Sequence, residues 1–547
     1  MKIGILLDST KVSWYIKDLI EWITKNPNLS LDVLLIQNID NKRKPIFSDN
    51  LSKIVDRILF KIVNFLEKRL IYKKYPQFIK HFSKYDLKNF NIKELNVEFE
   101  KSNNGKNFIF NDKTINKIKE LNLDIIIRGG SGILSGEILN SSRFGIISFH
   151  HGDNLVNRGG PAGFWEVYEK NPKTGFTIQI LTEQLDGGNV IKRGNFRTEQ
   201  FYHLNQIILT ERSNYYMKSV LNDICNTGSL PPFMKDYPYY NRIYKTPNFI
   251  ESIRYLYNLI FNKIKISIIN KFFYKVWHVG YQNKTFDKLN FYKSKVIKNP
   301  KNSFLADPFV VEYKKENYVF VEEFNFKNKK GKIAVYKISK NSYERIGVAL
   351  EENFHLSFPF IFKYKDDYYM SPETSDIDEV RIYKCEKFPL KWKYEKTIFK
   401  NIKSTDSIIF DLNNFWWLIT TFSNSGHGNE SELQIFYSKD GPLTDNWIGF
   451  KKNPVFIDPF LGRNGGVLHN EKSVFRVAQS FGFNSYGEKI NIQEIIKLDP
   501  DNFAEKNYCT VEPKFSKDLI GIHHLHNNNT FTVHDFCNLE LKWKHFL

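Results

Sequence analysis

"ISFHHGDNLVNRGGPAGFW", residues 147–165, ends a buried-looking strand on His150 and His151 and follows it with an aspartate and a glycine pair. The apolar runs "LDIIIRGG" (123–130) and "FGIIS" (144–148) lead into it, and "TGFTIQILTEQLDGG" (174–188) follows. Working outward, apolar strand runs fall at 2–7, 31–38, 123–129, 145–150 and 175–182. Helical spacing separates them near 12–25, 112–121, 135–139, 161–170 and 203–224, with a basic helical insertion over 51–85. Helices between apolar strands imply a mainly parallel sheet covered on both faces. Such sheets take ligands at the carboxyl ends of their strands. His150 ends one strand, and Asp186 lies in the loop after another. A carboxylate beside an imidazole is a general acid/base arrangement. A lone His and Asp this far apart in sequence would more often be structural, so the surrounding motifs have to decide.

From about 277 the helical spacing gives way to short aromatic strands and polar turns. The segments "ADPFVVEY", "HLSFPFIFKY", "TDSIIFDL", "RNGGVLHN" and "IHHLHNNN" each begin with polar residues and each precede a second strand. Their recurrence at intervals of roughly 50–60 residues predicts five sheet repeats, and hence an all-β five-bladed propeller. A β-sandwich is the alternative, but it does not explain the repeated order. The expected domains are therefore 1–225, α/β; 226–276, a helical linker; and 277–547, the propeller. Blade starts converging on one axis would bring Asp307, His355, Ser357, Asp406, Arg463, Asn464, His523 and His524 into one funnel.

The bulk composition narrows the setting. A chain of 547 residues is too long for one core. Four scattered cysteines fit a reducing compartment without a disulfide framework or metal spacing. The opening "MKIGILLDSTKVSWYIKDLIEWI" reads as strand then helix rather than a signal peptide, so a cytoplasmic location is expected and no metal is. The charge of +19 is mostly lysine spread along the chain, which speaks against a nucleic-acid partner. "IESIRYLYNLIFNKIKISIINKFFYKV" (250–276) mixes aromatic, aliphatic and basic residues as an interfacial helix does. An interdomain helix packed on its neighbours is the favoured reading there, and membrane contact the lesser one.

Residues 123–191 resemble the catalytic segment of the folate-dependent formyltransferases, and the resemblance extends over roughly 1–225. The family pattern runs Asn-x-His, Arg-Gly with a Trp, Gly-x-Thr and Asp-x-Gly. This chain has Ser148-Phe149-His150, Arg158-Gly159 with Trp165, Gly175-Phe176-Thr177 and Asp186-Gly187-Gly188. The resemblance implies a Rossmann-like formyltransferase domain and N10-formyltetrahydrofolate as co-substrate. The pterin would be held by Arg128, Gly129, Gly130, Ser131, Gly132, Ile133 and Leu134. His150 would manage the proton of an attacking amine and Asp186 would tune it; His150, not His151, is the expected catalytic imidazole. Ser148 stands where the family has the oxyanion-holding Asn. A rotating hydroxyl is a less preorganised donor than an amide. A slower transferase, a site completed by His151 or a water, and a relic without transfer are all left open by that change.

The "ADPFVV…YVFVEEF" block resembles five-bladed glycoside hydrolases of the arabinanase and β-xylosidase type, in which the matching Asp is the general base. "FHLSFPFIFKYKDDYYMSPETSDIDEVRIYKCEKFPLKWKYEKTI" is more similar to the N-terminal domain of glucosamine inositolphosphorylceramide transferases. With Glu373 only a loose candidate for a second carboxyl, glycan binding or acceptor presentation is expected ahead of hydrolysis. Together the resemblances imply an N-formyltransferase acting on an amino sugar, nucleotide-linked or glycan-linked, in surface polysaccharide assembly. The alternative is a propeller hydrolase or glycan-binding protein on a degenerate formyltransferase scaffold.

Overall fold

The computed structural model describes residues 1–38, 51–102, 107–184, 187–235, 241–426 and 428–545, without the side chains of 51–53. The chain divides into two compact units, Met1–Ile260 and Phe261–Leu547, and the division falls within one helix, Phe249–Phe272.

The first unit is built on a seven-stranded sheet. Its strands are β1 (Lys2–Leu7), β2 (Ser30–Ile36), β3 (Glu94–Asn96), β4 (Ile125–Arg128), β5 (Ile146–His150), β6 (Lys173–Ile180) and β7 (Asn189–Arg197), in the order β7-β6-β5-β4-β1-β2-β3. The five strands from β5 to β3 pair in parallel. Ile3, Ile5, Ile125, Ile126, Ile146 and Ile147 are fully buried, as continuous apolar runs require when both faces are covered. The β5–β6 and β6–β7 pairs are antiparallel, so the sheet is less uniformly parallel than expected. Strand β7 escaped the sequence reading because Lys192, Arg193, Asn195 and Arg197 interrupt its apolar pattern. The short helix expected near 135–139 is a 3-10 turn at Glu137–Asn140, preceded by a strand at Ile133–Ser135 that pairs with Asn107–Phe110. Among the helices are α1 (Trp14–Lys25), α2 (Leu51–Lys74), α3 (Asp112–Lys119), α4 (Phe164–Tyr168), α5 (Tyr202–Thr227) and α6 (Phe249–Phe272). Asn111 caps α3 by accepting from the Thr114 N–H at 2.8 Å.

The second unit is a succession of antiparallel sheets. Four follow one another along the chain, each beginning at a strand named in the sequence reading: Ser303–Tyr313, Ser357–Tyr364, Thr405–Leu412 and Arg463–His469. The fifth joins the two ends of the unit, for Phe273–Gln282 pairs along its whole length with Thr532–Leu541.

One local feature recurs in all four consecutive sheets. Pairing skips a residue between Ala306 and Phe309, Ser357 and Phe360, Thr405 and Ile408, and Asn464 and Val467. Each is a β-bulge, two residues facing one, at the same place on the first strand. Three of them put a non-glycine residue in the left-handed region: Asp307 (φ 49°), Phe358 (φ 47°) and Asp406 (φ 50°). The fourth uses Gly465-Gly466, where a Cβ on either would strike the carbonyl of His523 or Leu525 at 2.2 Å.

Candidate functional site

In the first unit, His150 stands half-buried at the end of β5, opposite Thr177 of β6. Asp186, its expected partner, lies outside the described residues. Ser148 is buried, and its hydroxyl donates to the Phe149 carbonyl at 3.0 Å. His151 is half-buried and packed against aromatic rings. Its ring stacks on Phe149 and meets Tyr15 edge-on, and Nδ1 lies 3.3 Å from the Ser213 hydroxyl. Burial, with His150 beside it, pushes the His151 pKa down to about 4. The 128–134 loop is tied down from within. The Arg128 guanidinium donates to the Ser131 and Gly132 carbonyls, and Asp8 accepts from the Ser131 N–H at 2.8 Å. The Leu134 side chain belongs to the hydrophobic core. Asp153, not singled out in sequence, is buried between Asn195 (3.0 Å) and Arg193 (3.3 Å). It explains Gly175, where a Cβ would meet the Asp153 Cβ at 2.4 Å.

The second unit draws its expected polar residues together far more tightly. The bulges turn Asp307 and Asp406 out of strand alternation, and both are buried. Asp307 Oδ2 accepts from the Phe358 N–H at 3.2 Å, and Oδ1 lies 3.2 Å from His523 Nε2. His523 Nδ1 lies 2.8 Å from Asp535 Oδ2, so one imidazole stands between two carboxylates in ion-pair contact. His524, also buried, has Nδ1 3.7 Å from Asp307. Asp406 Oδ2 accepts from Arg463 Nε and from Gln479 Nε2. Arg463 Nη2 reaches Glu373 at 3.5 Å, and the guanidinium lies over the Tyr486 ring. Asn464 holds the Asp406 carbonyl at 2.8 Å.

His355 sits at the margin. Its Nδ1 accepts from the Gly331 N–H, and its Nε2 is 3.6 Å from buried Glu322. Ser357 is buried at the start of its strand.

Several members of this cluster were not read from sequence: Glu322, Gln479, Tyr486 and Asp535. Glu322, Gln479 and Asp535 lie on strands that pair with the polar-starting segments. The signal was present in "VFVEEF" and "TVHDF", where acids interrupt apolar runs.

The electrostatics separate the carboxyls. Burial would raise Asp307, yet His523, His524 and Arg463 hold it at about 2. Burial pushes Asp406 up to about 8 against the pull of Arg463, with Glu373 and Asp307 adding repulsion. Burial, then Asp307, raises Glu322 well above the carboxylate range. Burial disfavours charge on His523, but Asp535 and Asp307 prevail and hold its pKa at about 10. A raised histidine pKa stabilises the fold fully below its unfolded value of 6.5, and that contribution is lost as pH rises through 10. The melting temperature of the second unit should therefore fall between those pH values. His523→Gln should start lower and show a flatter profile, read by thermal denaturation across that range.

The sequence reading expected no metal, but Asp307, His523 and Asp535 place three ligand-type atoms within 4.8 Å of one another. The protonated imidazole already supplies positive charge at that point.

The family described as glucosamine inositolphosphorylceramide transferase 1, N-terminal, matches residues 293–528. Glucosamine inositolphosphorylceramide transferase 1 of Oryza sativa subsp. japonica is 35% identical over 210 residues, 37% of this chain and 28% of the relative. The chain thus spans little more than a quarter of that relative's length. Methionyl-tRNA formyltransferase of Bacillus subtilis (strain 168) is 34% identical over 80 residues, 14% of this chain and 25% of the relative. Among solved structures, a thermostable family-43 glycoside hydrolase aligns over 44% of this chain and 89% of its own, with a TM-score of 0.33 and 16% identity. These findings overturn the expectation that the chain's function is N-formyl transfer to an amino sugar. The formyltransferase likeness is short and partial, whereas the extended likeness lies in the second half and is to transferases of another kind.

Proposed function

We propose that the second unit is a glycan-recognition module, with its five sheets set as blades about one axis, and that the chain serves a transferase reaction by holding a glycan-bearing acceptor. The observation that carries this reading is the cluster of buried Asp307, Asp406 and His523 with half-buried Arg463 and Glu373. Polar atoms in it make no hydrogen bond: Glu373 Oε2, Gln479 Oε1 and both ring nitrogens of His524. Buried polar atoms left so cost roughly 1–3 kcal/mol each, which a ligand rich in hydroxyls would offset. Carboxylates accept from sugar hydroxyls, and Arg463 offers a planar cation suited to phosphate or carboxylate on the same ligand. The name of the matched relatives, with its inositolphosphoryl group, supports an acceptor of that chemistry.

Calorimetry with a panel of neutral oligosaccharides and inositol phosphate glycans tests the reading. Wild-type protein should bind at least one member, and Asp307→Asn should weaken binding about ten- to hundredfold, the loss of one charge-assisted hydrogen bond. No binding by wild type would sink the module reading. Binding that survives Asp307→Asn would move the site elsewhere. From sequence this substitution is expected to leave stability unchanged. The contacts of the buried carboxylate with His523 and the Phe358 N–H favour the other outcome, a lowered melting temperature alongside the binding loss.

A further inference from the structure

Helix α2 is apolar on two sides. Phe60, Val63 and Ile71 are buried, and Phe60 packs on Phe164 and Tyr202. On the other side Val55, Ile58, Ile62, Phe65 and Leu66 stand in solvent, Phe65 at 56% exposure. Their spacing of three and four residues makes one continuous stripe. The first turns of α6 lie beside α2. The Phe249 N–H donates to Asp56 at 2.6 Å, and the Tyr255 hydroxyl donates to buried Glu67 at 2.7 Å. There too Ile250, Ile253 and Ile260 are exposed, Ile250 at 75%. A soluble surface helix ordinarily turns polar residues outward. Exposed aliphatic stripes on two adjoining helices therefore call for an occupant.

The charges on α2 indicate which one. Lys61 and Lys68 border the exposed stripe, and Arg69, Lys73 and Lys74 continue it toward the helix end. The two acids of α2 are engaged within the protein: buried Glu67 on Tyr255 and His203, and Asp56, nearer the surface, on the Phe249 amide. A second copy of this face would bring like charges together around a twofold axis. An anionic lipid surface would take both features at once, apolar side chains entering the headgroup boundary and lysines meeting the headgroups. We propose that the exposed faces of α2 and of the first turns of α6 bind a membrane surface containing anionic lipid, lying on it rather than crossing it. Among the described residues no helix is long and apolar enough to cross a membrane.

The test is co-sedimentation of the full chain with vesicles of phosphatidylcholine alone or mixed with phosphatidylserine. Binding should require the anionic lipid and weaken as salt is raised. The double variant Ile62→Glu/Phe65→Glu, at exposed positions, should bind the mixed vesicles at least about tenfold less while keeping the wild-type melting temperature. Equal binding to both vesicle types overturns the charge argument. No vesicle binding overturns the proposal. Size-exclusion showing a dimer that the double variant disperses, without vesicle binding, assigns the face to a second copy and overturns it as well. None of these outcomes depends on glycan binding by the second unit.

Discussion

Replacing Arg476 by methionine should destabilise the second unit by about 3–5 kcal/mol, the cost of leaving one member of a buried ion pair alone. Arg476 is fully buried and meets Glu505 through two bonds, Nε to Oε1 at 2.6 Å and Nη2 to Oε2 at 2.7 Å. It also reaches Asn464, which in turn holds the Asp406 and Ile419 carbonyls. The loss should be seen as an earlier unfolding transition in denaturant. The double variant Arg476→Met/Glu505→Leu should recover most of it, because a well-packed apolar pair removes the orphaned charge. A single variant as stable as wild type would mean that solvent reaches Glu505 and the pair is not sealed.

Arg463→Met should produce a loss of similar size, about 3–5 kcal/mol, by the same physics but with a different remedy. Arg463 is the guanidinium among Asp406, Glu373 and, more distantly, Asp307. Without it these carboxylates repel one another in a buried place. Burial already holds Asp406 up at about 8, and losing Arg463 pushes it higher, so the deficit against wild type should widen as pH is raised from 7 to about 9, where the wild-type carboxyl ionises and the variant's does not. Denaturant melts at the two pH values check this. Compensation by Asp406→Leu should restore stability but not glycan binding. That outcome separates a cluster kept for a ligand from the Arg476–Glu505 pair, which serves packing. Recovery of both properties in the double variant would make the Asp406–Arg463 pair structural too.

Much of this architecture could be read from the chain. The alternation of apolar strands and helices in the first half, and the recurring polar starts at 307, 357, 406, 463 and 523, correspond to real elements. Sequence could not show that Asp307 and Asp406 occupy bulges, since aspartate favours the left-handed region more than most residues do but is found far more often outside it. Nor could it place Glu322 and Asp535, because a buried acid on an interior strand breaks the apolar rule that defines such strands. In the first half the motifs gave residue types and spacing but not side-chain contacts. Ser148 donates to a neighbouring carbonyl, and His151, the ring set aside in favour of His150, is half-buried against Phe149. The Leu134 side chain packs into the core. Short motifs report local backbone well, and say less about which side chains remain available.

The pairing of Phe273–Gln282 with Thr532–Leu541 bears on the order of events during synthesis. His278 and Asn538, bonded across that pair, are 260 positions apart. Contacts so distant are reached slowly, because loop closure must precede any gain from them. While the ribosome is still adding the middle sheets, Phe273–Gln282 has only Lys295–Ile297 along one side and presents its other edge unpaired. The first unit can settle as it emerges, but the second cannot complete its fifth sheet until Thr532–Leu541 is released. The second unit is thus open to strand-exchange with another copy for most of its own synthesis, and an excess of chaperone during expression should raise the yield of monomer.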